Sequence, residues 1–324
     1  MILVVIEHDR GELAGASLEA LAFARDLAEA AGTDVGALLV GAAAGDLADR
    51  CAAHGASSVL HVDEAALSEY GPEAYGRVVA AAARRLEPDA VVATGTDRGN
   101  EVLAHVAAEL DLPFVAGCLR ADVGDEWAIR RVQWGGSLEE ECRLASSMPI
   151  LSVAPHAVEA AEVAPGSTAA ADRVDAAGLG VELDDAVTAT IVRDRITLSE
   201  GVTLATAPVV VGGGRGVGSA EGFAVLEALA ERLGGVVGCS RAVTNNGWRP
   251  HSDQVGQTGT RIAPQLYIAC GISGAIQHWV GAKAAKRILA INTDPAANMV
   301  VKADYAVIGD LHEILPAITA ATTT

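Results

Sequence analysis

Lysine is almost missing from this chain: three (Lys283, Lys286 and Lys302) stand among 324 residues, so nearly all the positive charge is arginine. With 23 basic against 42 acidic residues the formal net charge is −19. A surface of that sign excludes nucleic acid as the main partner, because phosphate binding needs a basic face. An acidic, lysine-poor surface stays hydrated in concentrated salt, which screens its self-repulsion. A halophilic, archaeal host is the expectation, and an ordinary acidic protein from a GC-rich genome is the alternative. Aromatic residues are scarce too, at 3%, so the core must be built from Ala, Val, Leu and Ile. The five cysteines (Cys51, Cys118, Cys142, Cys239, Cys270) are an odd number with no C-x-x-C pair. They fit neither a disulfide framework nor a zinc site, and Cys239 and Cys270, at the ends of apolar runs, read as small core residues. No apolar run reaches the length of a membrane span, and Met1–Ile6 is too short and lacks the basic start of a signal peptide. A cytoplasmic protein that does not itself span a membrane is therefore expected.

A chain of this length exceeds one core and reads as two domains. Its 35 glycines cluster after apolar runs, as strand-to-helix turns of an α/β protein do. Strands are expected at Ile2–Ile6, Val35–Val40, Ser58–His61 and Ala90–Ala93. Helices are expected from about Ser17, near Asp46–His54, over Pro72–Leu86, and from Asn100 to Leu110. The alternation predicts a parallel sheet covered by helices. After Pro113, Trp127–Trp134, Glu139–Leu144 and Pro149–Val153 read as antiparallel additions. Residues 159–185 lack periodicity and read as a linker, followed by a strand-like Thr188–Val192. Further strands at Pro208–Val211, Gly235–Cys239, Leu266–Cys270, Ile288–Ile291 and Tyr305–Ile308 predict a second doubly wound sheet. The fold class is thus α/β with two domains, each a parallel-type sheet flanked by helices. The boundaries are 1–185, with the linker from about 159, and 186–324.

Chemistry-bearing residues gather in the second half. Gly212–Ser219 fails the dinucleotide fingerprint in every register, since its last position falls on Val217, Ser219 or Glu221. What remains is either an anion turn with Arg215 in it or a plain glycine turn. Ser240-Arg241 directly follows a strand, where Arg241 can set a permanent charge against a flat ring or an anion. The long polar loop from Asn245 to Gly259 is of a length that is usually functional, while its Trp248 reads as a partner or core contact. Gly271–His278 is a glycine turn opening a helix at Ala275, which offers backbone N–H groups to a ligand, with Gln257, Thr258 and Gln277 beside it. His278 is either a structural histidine or a neutral donor in this pocket. Asp310 is either a ribose-binding carboxylate or a helix N-cap. In the first half only Thr94–Asn100 invites a nucleotide reading, and a polar connection with an Asp cap is preferred, because no register matches a phosphate loop. No nucleophile–base pair and no metal spacing is evident, so the pocket reads as one that holds a cofactor.

At Gly213-Gly214-Arg215-Gly216, Ser240-Arg241, Gln254–Gly259, Leu266-Tyr267-Ile268, Gly271–His278, Ile291–Pro295 and Ala303-Asp304-Tyr305 the chain resembles the α subunit of electron-transfer flavoproteins. Met1–Val40 resembles that family's N-terminal domain more loosely. The resemblance implies a Rossmann-like, FAD-binding C-terminal domain and a heterodimer with a β subunit. It also implies electron passage from acyl-CoA or other flavin dehydrogenases to a membrane quinone oxidoreductase. Carried over by motif, Arg215, Ser240, Arg241, Val255, Gly256, Gln257, Thr258, Ser273, Gly274, Ala275, Ile276, Gln277, His278, Asn292, Asp310 and Leu311 would line the FAD. Arg241 would lie over the isoalloxazine, Thr258 near N5 and His278 at the C2 carbonyl. The chain departs from the family at Asn246, where an acidic residue is usual. Two other readings stand beside this one: a bifurcating or quinone-linked relative with a second FAD in the β subunit, and a nicotinamide-dependent α/β oxidoreductase.

Overall fold

The structure is a computed structural model that describes residues 1–185, 187–192 and 202–322. The chain divides into two compact units, Met1–Gln133 with Leu138–Ile196 and Trp134–Ser137 with Thr197–Thr324.

The first unit is built on β1 (Ile2–Val5), a four-residue apolar run buried on both faces. Ile2 and Val4 join a core with Leu21 and Leu27 of helix α1 (Gly15–Ala31). Leu3 and Val5 face the opposite way, into a core with Val78 of α3 (Pro72–Leu86) and Leu103 of α4 (Asp97–Leu110). Such two-sided burial is what a helix-covered parallel strand requires. A small hairpin of β2 (His8–Asp9) and β3 (Glu12–Leu13) follows β1. The sheet continues through β4 (Val35–Val40), β5 (Ser58–Val62) and β6 (Ala90–Thr94), with the short α2 (Ala48–Ala53) between β4 and β5. Then come β7 (Phe114–Asp122), β8 (Trp127–Gln133), β9 (Leu138–Leu144), β10 (Ile150–Val153) and β11 (Ala171–Val174). The nine-stranded order is β11-β5-β4-β1-β6-β10-β7-β8-β9.

Four expectations change here. Of the pieces read as antiparallel additions, β8 and β9 are antiparallel, but β10 lies inside the sheet, parallel to β6 and β7. The stretch read as a linker contains β11, parallel to β5 at the sheet edge, and buries Ala176 and Val181. Thr188–Val192 is a turn and bends with no strand. The cap of α4 is Thr96 and not an Asp: its hydroxyl accepts from the Gly99 N–H at 3.0 Å. The Thr94 and Thr96 hydroxyls also both donate to the Glu7 carboxylate, so this turn is satisfied by its own unit.

The second unit has a five-stranded parallel sheet in the order β13-β12-β14-β15-β16. Its strands are β12 (Val209–Gly213), β13 (Val236–Cys239), β14 (Leu266–Cys270), β15 (Ile288–Asn292) and β16 (Tyr305–Ile308). Val211 and Ile268 face α5 (Ala224–Arg232) and α9 (Leu311–Ala321) in one core. Val210, Tyr267 and Ala269 face the other way, into a core with Ala282 of α7 (Ile276–Ala282) and Met299 of α8 (Asn298–Lys302). Directly after β13 the chain forms a short helix, α6 (Arg241–Asn245), ahead of the long polar loop. Trp248 is half-buried and packs against the first of these cores. The strand order reverses between β12 and β14, so the crevice at their carboxyl ends is where an open α/β sheet takes its ligand.

Candidate cofactor cleft

That crevice begins with a close approach of two turns. The Gly214 N–H donates to the Cys270 carbonyl at 2.8 Å, and the Gly216 N–H to the Gly271 carbonyl at 3.1 Å. A Cβ on Gly214 would lie 2.2 Å from the Gly271 oxygen, so the contact exists only because no side chain is there. Gly274, at φ +79°, turns the chain onward against the Met299 backbone, and Met299 N–H donates to the Ser273 carbonyl at 3.2 Å. The result is a run of backbone N–H groups, Ser273 to Gln277, that donate to no acceptor among the described residues. Unpaired donors in a row are an anion-binding feature, whatever the length of the helix that follows.

The cleft has a volume of about 510 Å³, and its wall includes Arg215, Ser240, Arg241, Ser273, Gly274, Ala275, Gln277, His278 and Asn292. That is a fitting volume for a small-molecule site. Neither the Arg215 nor the Arg241 guanidinium forms an ion pair or hydrogen bond among the described residues. Other arginines of this acidic chain do find carboxylates, Arg10, Arg131 and Arg249 among them. A groove of about 570 Å³ on the outer strands of the first unit makes the contrast. Its Arg120, Arg130 and Arg143 are paired with Asp122, Glu139 and Glu126.

The other wall is tied to this one by the long loop. Val255 N–H donates to Cys239 at 2.9 Å and Gln257 N–H to the Gln277 carbonyl at 2.8 Å. Buried Gln254 accepts from Thr244 at 2.7 Å and donates to Thr258 Oγ1 at 2.9 Å. It thereby links α6, which begins at Arg241, to the Val255–Thr258 segment. Arg249 bonds Asp253 at 2.8 Å and also pairs with Glu227, which pins the loop's far end. Gln254 was not legible as a site residue, since a polar residue in a polar loop carries no periodic signal.

Of the sequence-predicted residues, then, nine line the cleft and seven do not. Val255, Gly256, Gln257 and Thr258 form the supporting loop beside it. Ile276 is exposed at the start of α7. Leu311 is buried behind Gly271, whose added Cβ would meet Leu311 Cδ2 at 3.0 Å. Asp310 caps α9, accepting from the His312 N–H at 2.8 Å. Gly216, Gly271, Ala242, Asp294 and Ala297 line the cleft as well.

His278 is buried, its Nε2 2.8 Å from the Tyr267 hydroxyl and its Nδ1 without a hydrogen-bond partner among the described residues. Burial lowers its pKa to about 4, against a smaller upward pull from the Val255 backbone. Desolvation is therefore the main reason for its neutral state. Its folded pKa lies below the unfolded value, so the unfolded chain binds more protons between pH ~6.5 and ~4. Stability from this group is complete above that window and falls as pH drops through it, by about 3 kcal/mol. Denaturant unfolding of wild type and His278→Asn at pH 7 and pH 4 checks this. The wild type should lose about 3 kcal/mol more than the variant, and equal losses would contradict the burial account.

Comparison with known proteins bears on both units. Residues 2–179 match the family described as the electron transfer flavoprotein domain, and residues 203–283 match the electron transfer flavoprotein FAD-binding domain. The chain is similar to electron transfer flavoprotein subunit alpha of Thermoanaerobacterium thermosaccharolyticum, at 34% identity over 97% of this chain and 95% of the relative. The corresponding subunit of Megasphaera elsdenii is 36% identical over 99% and 95%, and that of Mycobacterium tuberculosis 37% over 99% and 97%.

Proposed function

The chain belongs to the electron transfer flavoprotein α-subunit family, and from that premise we propose that it holds FAD in the β12–β14 cleft as one half of an αβ electron carrier. What carries the reading is the juxtaposition of two unpaired guanidiniums with the unengaged N–H run from Ser273 to Gln277. The FAD-binding family match covers both features.

The residues present fit the group. The N–H run and Arg215 suit a pyrophosphate, which needs donors and positive charge. Asn292 is held by its donation to the Ile272 carbonyl at 3.0 Å and accepts from the Asp294 N–H, so it presents a fixed amide. FAD, when bound, supplies one-electron redox chemistry that the protein's own side chains lack. Arg241 contributes a positive charge that cannot be removed by deprotonation. It favours negative charge placed beside it, as do the N–H groups, and both act without rearranging. His278, neutral by burial, adds a donor without adding charge.

A β subunit completes the carrier in this reading, flavin dehydrogenases such as those acting on acyl-CoA donate electrons, and a membrane quinone oxidoreductase accepts them. Among the described residues no helix is long and apolar enough to cross a membrane. The acidic, lysine-poor composition supports work in concentrated salt.

The test is electron transfer by the purified αβ complex, with its flavin counted. Reduction by a flavin dehydrogenase and reoxidation by a dye, with one FAD per heterodimer, is the expected result. Two FAD per heterodimer with reduction by NADH would move the assignment to a bifurcating carrier. A colourless complex that binds NAD would overturn it.

A further inference from the structure

Tyr267 heads the fully buried side chains by volume among the described residues. It sits in the middle of β14, in the core with Val210, Val255 and Ala269. Its hydroxyl is 2.8 Å from His278 Nε2 and has no other hydrogen-bond partner among the described residues. The room for that hydroxyl is made by Gly212 on the neighbouring strand β12. A Cβ at Gly212 would lie 2.3 Å from the phenolic oxygen. Glycine inside a strand costs packing, and it commonly marks a point where another group must come close. Here the group that comes close is a single polar atom, delivered to the back of the one histidine that lines the cleft.

The proton in this contact has two possible places. A neutral imidazole carries one N–H and offers its other nitrogen as an acceptor. Burial keeps both partners neutral, since it raises the phenol's pKa and lowers the imidazole's. If Nε2 carried the ring proton, the tyrosine proton would be buried without an acceptor. The ring's bare Nδ1 would be buried without a donor as well. Two unsatisfied groups would then incur the full desolvation penalty. With Tyr267 as donor and Nε2 as acceptor, both ends of the contact are satisfied and the ring proton rests on Nδ1. That atom is the buried ring nitrogen with no hydrogen-bond partner among the described residues, although the Val255 backbone lies near enough to the ring to favour its proton.

We propose that Tyr267, by donating its O–H to Nε2, fixes His278 as the Nδ1–H tautomer. Tyr267 is thus a positioning residue for the cleft, and Gly212 is the vacancy on β12 that admits it. The ring's one N–H then sits on Nδ1, a buried atom, so a ligand group that reaches this nitrogen meets a donor and not an acceptor. This deepens the cofactor assignment and rests on it for the ligand: a flavin, whose ring carbonyls are acceptors, suits a cleft wall that offers N–H. A ligand that offers only donors at that point does not.

The test is nitrogen-15 NMR of the imidazole rings in the αβ complex at pH 7, with His278→Asn to assign the signal. Wild type should show a protonated Nδ1 and an unprotonated Nε2 for His278. In Tyr267→Phe, which keeps the ring and removes the hydroxyl, the Nδ1–H to Nε2–H ratio should fall at least about tenfold, equivalent to 1.4 kcal/mol. A folded Tyr267→Phe protein with an unchanged ratio would overturn the proposal. So would a wild-type signal from the Nε2–H tautomer, and that spectrum decides the matter even if the variant does not fold. The same spectrum, taken with the flavin content of the same sample, separates the two claims. Nδ1–H in a protein that binds no FAD upholds the tautomer and removes the cofactor assignment.

Discussion

Gly214→Ala is expected to destabilise the C-terminal unit by roughly 3 kcal/mol, at the upper end of overpacking costs, and to strip the cofactor from it. The new methyl group would lie 2.2 Å from the Gly271 oxygen and 2.7 Å from the Gly271 carbon and the Ile272 Cα. All three are backbone atoms at the end of a central strand, and none can rotate away as a side-chain tip could. The turns must separate, which breaks the Gly214-to-Cys270 and Gly216-to-Gly271 hydrogen bonds and moves the N–H run that begins two residues later. Gly15→Ala is the control. Nothing lies within 4 Å of a Cβ there, and the residue is the first of helix α1. A helical glycine replaced without strain stabilises slightly. Thermal unfolding and released-flavin content of the three proteins check the pair of expectations. A Gly214→Ala protein as stable and as yellow as wild type would refute the close-approach argument.

Arg241→Ala is expected to leave FAD bound and to lower the potential for its first electron. The guanidinium lines the cleft without an ion partner among the described residues, so its charge is not already neutralised. It is exposed, which screens it, so the low end of a charge-assisted contact applies, about 1–1.5 kcal/mol. Since 1.4 kcal/mol corresponds to ~59 mV for one electron, the fall should be about 40–60 mV. Arg241→Lys keeps the charge but not the planar fork, and should recover part of it. A spectroelectrochemical titration reads the shift. Equal potentials in Arg241→Ala and wild type would show that the charge acts elsewhere.

How far the chain could be read in advance depended on how local each determinant was. Val35–Val40, Leu266–Cys270 and Tyr305–Ile308 are apolar runs between turn signals, and the strands fall on those residues. Pro72 pre-sets the first turn of α3, and that helix too runs as expected. Pairing is not local. Ile150–Val153 is as apolar as any central strand, and nothing within it says that it inserts between β6 and β7. Ala171–Val174 has two charged residues in four, which suits an edge strand with one neighbour and hides it from periodicity. The cap of α4 was misread because Thr96 and Asp97 are both competent, and only geometry selects the hydroxyl.

The site was legible where glycine and arginine mark a turn, at Arg215, Arg241 and Ser273 to His278. It was not legible where a residue acts through another. Tyr267 looks like one more core aromatic until its hydroxyl is seen against His278. Gln254 looks like loop polarity until it is seen between Thr244 and Thr258. The electron-carrier family was nevertheless recognisable from those motifs, and both halves of the chain match it.

The central claim, that the β12–β14 cleft holds FAD, is met most directly by titrating the deflavinated αβ complex with FAD and following fluorescence. Wild type should bind one equivalent at this site, and both Gly214→Ala and Arg215→Ala should weaken that binding, the glycine variant by roughly 100-fold if its ~3 kcal/mol falls on the cleft. Binding that is absent in wild type, or unmoved by both substitutions, would contradict the claim.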